Sequence, residues 1–306
     1  MFSRSKFVAW LQLLRLPNVF TAVADVMMGY LVACRGDVQS IENLVTLAAI
    51  SSLLYLSGMV LNDVFDAEVD ARDRPIRPIP SGRVSLKSAA ALGWGMLTAG
   101  LVIAWILSFN ANDWRPGAVA TLLAACILLY DGALKRTRLA PLVMGECRTL
   151  NVLLGMSLML IPWGKAEILI AIGVGVYIMG VTIFARTDAR TSSRTRLTAG
   201  LIVLLSGMSL LAAVPWLTVD RPPLAIILPG WYLLWATLVL IIGRRCTLAV
   251  FEPSPKRVQT AVRHCVHSII VLDAAVCVGY ASSYWGFAVL SLLFPTMLLT
   301  LWLNAT

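Results

Sequence analysis

Residues 62–83 read NDVFDAEVDARDRPIRPIPSGR. Five of the sixteen acidic residues, Asp63, Asp66, Glu68, Asp70 and Asp73, fall within eleven positions, with Arg72, Arg74, Arg77 and Arg83 among or just after them. Read as the helical end of the apolar run before it, the segment puts Asn62, Asp66 and Asp70 at i, i+4 and i+8, on one helix face. One amide oxygen and two carboxylates are hard donors. They suit Mg²⁺, which keeps several waters and completes its octahedron with phosphate oxygens. Pro75, Pro78 and Pro80 stiffen the following loop and Gly82 closes it, holding Arg72 and Arg77 beside the acids. The stretch YDGALKR, 130–136, brings Lys135 and Arg136 to the same side. A magnesium-binding face with cationic clamps suits a diphosphate, whose charge grows as it departs. The bland alternative is a solvated, charge-balanced loop. Acids at a membrane edge are costly, which favours the functional reading.

The elements that must position these residues are membrane helices. The 306-residue chain is 59% hydrophobic and 13% charged, with a mean hydropathy of +0.82, whereas soluble domains carry about 25% charged residues. Too little polar sequence exists to clothe so many apolar helices in water. Runs able to span a bilayer, roughly 20 residues each, lie near 10–33, 42–61, 88–109, 115–131, 141–163, 166–185, 197–218, 224–243, 263–281 and 285–303. The last two lack a clear polar break, so the expected fold is all-α, a polytopic bundle of nine or ten transmembrane helices. Nineteen Lys and Arg residues fall on alternate loops against four (Arg35, Arg115, Lys165 and Arg221) on the opposite ones. The positive-inside rule then predicts a cytoplasmic N-terminus and cytoplasmic site loops, in a plasma or inner membrane. This placement, rather than a contiguous basic patch, accounts for the net charge of +9 and argues against a nucleic-acid partner. No small-residue cleavage site follows the short basic start, so the first helix is expected to serve as the targeting element. The six cysteines lie in or beside apolar runs with no CxxC pairing, which predicts neither disulfides nor zinc.

The run NDVFDAEVDARDRPIRPIPSGRVS resembles the first aspartate-rich signature of the UbiA superfamily of intramembrane prenyltransferases, and YDGALKR with GECRTLNVLLG (145–155) resembles that family's fourth and fifth helices. The resemblance runs through the whole chain, 1–306, as one domain, and looks closest to the divergent branch with the EboC-like proteins. It implies a bundle around a lipid-open central cavity. It also implies a Mg²⁺ cofactor, a prenyl diphosphate substrate, and a hydrophobic or aromatic acceptor drawn from among membrane lipids and amphiphiles. Asn62, Asp66 and Asp70 match the family's metal ligands, and Lys135 and Arg136 its diphosphate clamp. LRLPNVFT resembles its opening arginine segment, adding Arg15 and Asn18; capping the helix restart after Pro17 is the structural alternative for Asn18.

The sequence departs from the family at its second aspartate-rich motif. In FARTDARTSSRTR (184–196) Asp188 is present, Ser192 stands where a partner carboxylate is expected, and Arg196 follows. Asp188 remains a metal and catalytic candidate, with Ser192 and Arg196 as phosphate contacts; Arg190, Arg194 or Arg196 would replace a second metal in part. Asp66 or Asp188 would take the acceptor's proton. A terpene cyclase on the same scaffold and a non-catalytic isoprenoid-lipid carrier are the rival functions.

Within the fifth helix, Arg148 and Asn151 are substrate-contact candidates, set against a local Glu146–Arg148 pair or an interhelical pair that fixes packing. Asp25 and Asp273 read equally as structural partners or site residues. Trp94 and Trp105 would wall a tail cavity or face lipid. His264 and His267 lack the further ligands a metal needs.

Overall fold

The computed structural model describes residues 4–159, 163–186, 193–217 and 228–305, and all regular structure among them is helical. The helices are α1 (Arg4–Leu14), α2 (Val19–Ala33), α3 (Ile41–Phe65), α4 (Ala67–Asp73), α5 (Leu86–Ala111), α6 (Arg115–Leu129), α7 (Ala140–Gly155), α8 (Lys165–Ala185), α9 (Arg194–Leu217), α10 (Leu228–Phe251), α11 (Pro255–Tyr280), α12 (Ser283–Leu290) and α13 (Leu293–Ala305).

Nine spans among the described residues are long and apolar enough to cross a membrane. They do not include α7, which at 16 residues carries both Glu146 and Arg148. The question left open near the C-terminus resolves as two elements. The chain turns at Ala281 and Ser282, and Ser282 caps α12 by accepting the Trp285 N–H at 3.3 Å. The first apolar run is also divided. Arg15 takes φ 46°, in the left-handed region, and a short 3₁₀ turn at Leu16–Asn18 carries Pro17 before α2 restarts. A proline cannot continue the hydrogen-bonded ladder, so a break falls there.

Packing runs α2–α3–α5–α6–α7–α8–α9–α10–α11 and returns to α2, forming a closed ring. Towards one end α2 and α7 also touch across the ring. A Cβ on Gly155 would collide with the Val26 carbonyl oxygen, and one on Gly29 with that of Val152. Only glycine lets the two backbones approach so closely. The opposite end carries the sequence's charged loops: Arg186 donates to the Thr137 carbonyl at 2.6 Å and Arg194 to that of Phe251 at 3.1 Å. Between these ends the ring encloses a cavity.

Candidate functional site

The apolar run of α3 ends in the acidic segment, but not as one uninterrupted helix. Asp66 caps α3 at φ −91°, ψ 1°, and α4 begins at Ala67. Helical bonding persists through this kink, from Asp66 N–H to Asn62 O at 3.1 Å and from Asp70 N–H to Asp66 O at 2.8 Å. The three oxygen-bearing residues therefore keep their spacing, while their side chains serve two different clusters.

The first cluster is built by the end of α6. A π-type turn over Tyr130–Leu134, closed by the Lys135 N–H on the Tyr130 carbonyl at 2.9 Å, inserts an extra residue before Lys135. Such turns recur at functional sites. This one aims Lys135 at α3, where Nζ lies 3.2 Å from Asn62 Oδ1 and 2.9 Å from Asp66 Oδ1. Arg136 reaches the same Asp66 oxygen at 3.1 Å. A cation thus already sits between the Asn62 and Asp66 oxygens, so these two donors fit a positive ion, whereas Asp70, the third expected ligand, is drawn to Arg77.

The second cluster lies to the side. Arg77 bridges Asp70 Oδ2 at 2.5 Å and Asp63 Oδ1 at 3.2 Å, and Arg15 reaches the same Asp63 oxygen at 3.1 Å. Asp63 and Asp70 are buried. Gly82 at φ 73°, with the Val84 N–H on the Pro78 carbonyl at 3.0 Å, folds the proline-rich loop that delivers Arg77. Arg72 is exposed on α4 and takes no part in either cluster.

Beneath the first cluster lies a cavity of ≈ 400 Å³. Its mouth is lined by Arg15, Asn18, Asn62, Asp131 and Arg186, and its walls by Met59, Ile127, Ile178, Val181, Val266 and Ile269. Its far end is polar, with Ser51, Tyr55, Arg148 and Asn151. There Arg148 donates to Asp25 Oδ2 at 2.7 Å and to Thr21 Oγ1 at 2.9 Å, with its guanidinium 5.5 Å from the Tyr55 ring centroid. Asn151 donates to Asp25 Oδ2 at 3.1 Å and to the Ala22 carbonyl at 2.9 Å, and accepts from the Ser51 hydroxyl at 2.7 Å. Asp273 on α11 is also fully buried, and neither of its carboxyl oxygens has a hydrogen-bond partner among the described residues.

These placements revise several expectations. Arg148 pairs with Asp25 rather than Glu146, which is exposed. Asn18 does not use its side chain as a cap for α2 and lines the cavity instead. Trp94 and Trp105, 44% and 40% exposed, are absent from the cavity wall, which fits the lipid-facing alternative rather than a tail-cavity wall. Arg196 is exposed at the start of α9, and Asp188, Arg190 and Ser192 lie outside the described residues. Asp131 and Arg186 line the mouth without having been singled out in the sequence. Asp131 falls inside the YDGALKR motif, four residues before Lys135; Arg186 carried no signal beyond its charge.

Residues 22–251, most of the chain, match the UbiA prenyltransferase family. The chain belongs to this family. With nine apolar spans among its described residues it is an integral, multi-pass membrane protein. Similar proteins include digeranylgeranylglyceryl phosphate synthases. That of Methanopyrus kandleri is 37% identical over 44% of this chain and 47% of its own. The one from Saccharolobus solfataricus is 31% identical over 42% of this chain and 44% of its own. The matches thus span about half the length of these relatives. They bear digeranylgeranylglyceryl phosphate synthase names, which corrects the expected placement near the EboC-like branch. The fold is that of solved UbiA-family structures. A structure described as digeranylgeranylglyceryl phosphate synthase superposes with a TM-score of 0.66 at 19% identity, covering 90% of this chain and 99% of its own. A UbiA homologue from Archaeoglobus fulgidus bound to GPP and Mg²⁺ also gives 0.66, at 13% identity, covering 92% and 99%.

Proposed function

We propose that this UbiA-family protein transfers a prenyl group from its diphosphate to a lipophilic or aromatic acceptor inside the membrane. The observation that carries this reading is the position of Lys135, bridging Asn62 and Asp66 at the mouth of an apolar-walled cavity. Lys135, Arg136 and Arg186 hold the diphosphate at that mouth, and the apolar walls take the hydrocarbon and exclude water, which would otherwise capture the allylic cation. Asn62, Asp66 and Asp70 would hold Mg²⁺, with Asp70 exchanging its contact to Arg77; the ion when bound supplies charge to neutralise the departing diphosphate. By the family resemblance Asp188, Ser192 and Arg196 would add phosphate contacts, Asp188 and Ser192 lying outside the described residues.

The bond from the prenyl C1 to the diphosphate oxygen breaks, a bond from C1 to the acceptor nucleophile forms, and the acceptor loses a proton. Asp66 is engaged by two cations, whereas Asp131 is 4% exposed, lines the mouth and makes no hydrogen bond or ion pair among the described residues. Asp131 is therefore the carboxylate assigned to receive that proton. The lysine- and arginine-bearing loops at the mouth face the cytoplasm. The relatives are named for making digeranylgeranylglyceryl phosphate, a prenylated glyceryl phosphate, which supports a lipid acceptor.

The test uses a radiolabelled prenyl diphosphate with wild-type protein and Asp66→Ala. Transfer predicts diphosphate release that Asp66→Ala abolishes, together with a product heavier than the prenyl group alone. No release from wild type indicates a carrier, and a cyclic hydrocarbon indicates a cyclase.

A further inference from the structure

The polar far end of the cavity has no part in holding the diphosphate, and its depth is fixed by the helix that lines it. Ser51, Tyr55, Gly58, Met59 and Asn62 all face the cavity from α3. Ser51 and Asn62 are eleven positions apart, so the floor lies about 16 Å below the mouth at 1.5 Å of rise per residue.

The floor is rigid, because each of its groups is held by another. Ser51 bonds Asn151, Asn151 bonds Asp25, and Asp25 pairs with Arg148. Below it the shaft is sealed, since α2 and α7 meet backbone to backbone at Gly155 and Val26. Arg148 still has guanidinium donors that no described residue accepts: of its five N–H groups, two hydrogen bonds, to Asp25 and Thr21, are made.

We propose that the Ser51–Asn151–Arg148 floor is a chain-length gauge that admits tails of about three isoprene units and opposes longer ones. The inference rests on the prenyl-transfer reading above. A four-carbon isoprene repeat extends about 5 Å at ordinary bond lengths, so a tail anchored at Asn62 and Lys135 reaches the floor after about three units. Further hydrocarbon would press on donors that need oxygen partners, or would have to leave the shaft sideways between helices. Leaving one buried donor unpaired weakens binding by about tenfold or more. The relatives named for digeranylgeranyl lipids match over about half their length, so their chain length does not transfer to this protein.

The test measures binding of non-hydrolysable geranyl, farnesyl, geranylgeranyl and geranylfarnesyl thiolodiphosphates, with Mg²⁺, to the detergent-solubilised full chain. Affinity is expected to rise from geranyl to farnesyl and fall about tenfold or more at geranylgeranyl. Asn151→Leu, which replaces the floor's amide with an apolar side chain beside Ser51 and Arg148, is expected to narrow that fall. An unbroken rise with length in wild type overturns the gauge while leaving the transfer reading intact. So does a variant that weakens every length equally, as a merely structural residue would. If the variant does not fold, the wild-type profile alone decides. Absence of magnesium-dependent binding at every length overturns the transfer reading and the gauge together.

Discussion

Arg148 on α7 and Asp25 on α2, 123 positions apart in the chain, form an ion pair at 2.7 Å. Asp25 is fully buried, and Asn151 donates to the same carboxylate oxygen. Removing one partner of a buried pair leaves an uncompensated charge, at a cost of about 3–5 kcal/mol. Arg148→Ala is therefore expected to lower thermal stability in detergent substantially. Arg148→Ala/Asp25→Ala, which removes both charges, should recover part of the loss. A double variant as unstable as the sum of the singles would show that the two residues do not interact.

Lys135 touches both oxygen-bearing residues at the mouth, and a charge-assisted contact contributes about 1.5–3 kcal/mol. Lys135→Ala should weaken affinity for a prenyl diphosphate by about 10–100-fold, read by isothermal titration calorimetry with Mg²⁺ present. Chelating the ion should weaken binding to wild type as well. Unchanged binding in both cases would remove the mouth from the binding site.

Asp131→Asn keeps the side chain's size and removes its basicity. General-base contributions are about 10²–10⁴-fold, so turnover should fall by at least about 100-fold. Affinity for the thiolodiphosphate should stay near wild type. A matched loss of affinity would reassign Asp131 to substrate binding.

Gly155→Ala drives a methyl group into the Val26 carbonyl. Overpacking of this kind costs about 1–3 kcal/mol, so the apparent Tm should fall. An unchanged Tm would mean that α2 and α7 separate easily at this crossing.

The sequence made the bundle legible because long apolar runs are a strong signal, and it made the mouth legible because Asn62, Asp66, Lys135 and Arg136 lie in short local motifs. Other parts depended on tertiary contacts. The i, i+4 spacing held at Asp66 and Asp70, yet side chains from other segments drew them apart: Lys135 holds one and Arg77 the other. For Arg148 the sequence left a local and an interhelical partner open, and the bundle supplied the interhelical one, Asp25. Asp131 was hidden inside a recognised motif because its burial comes from a π-type turn that periodicity does not reveal. Trp94 and Trp105 show the limit of residue type alone, since an aromatic ring suits a lipid-facing surface as well as a cavity wall.

The residue that bends the backbone between α1 and α2 is the same one whose guanidinium stands at the cavity entrance and grips Asp63. Tilting the amino-terminal helix therefore displaces a positive charge at the doorway. The tilt of α1 and the place of that charge are, mechanically, a single variable.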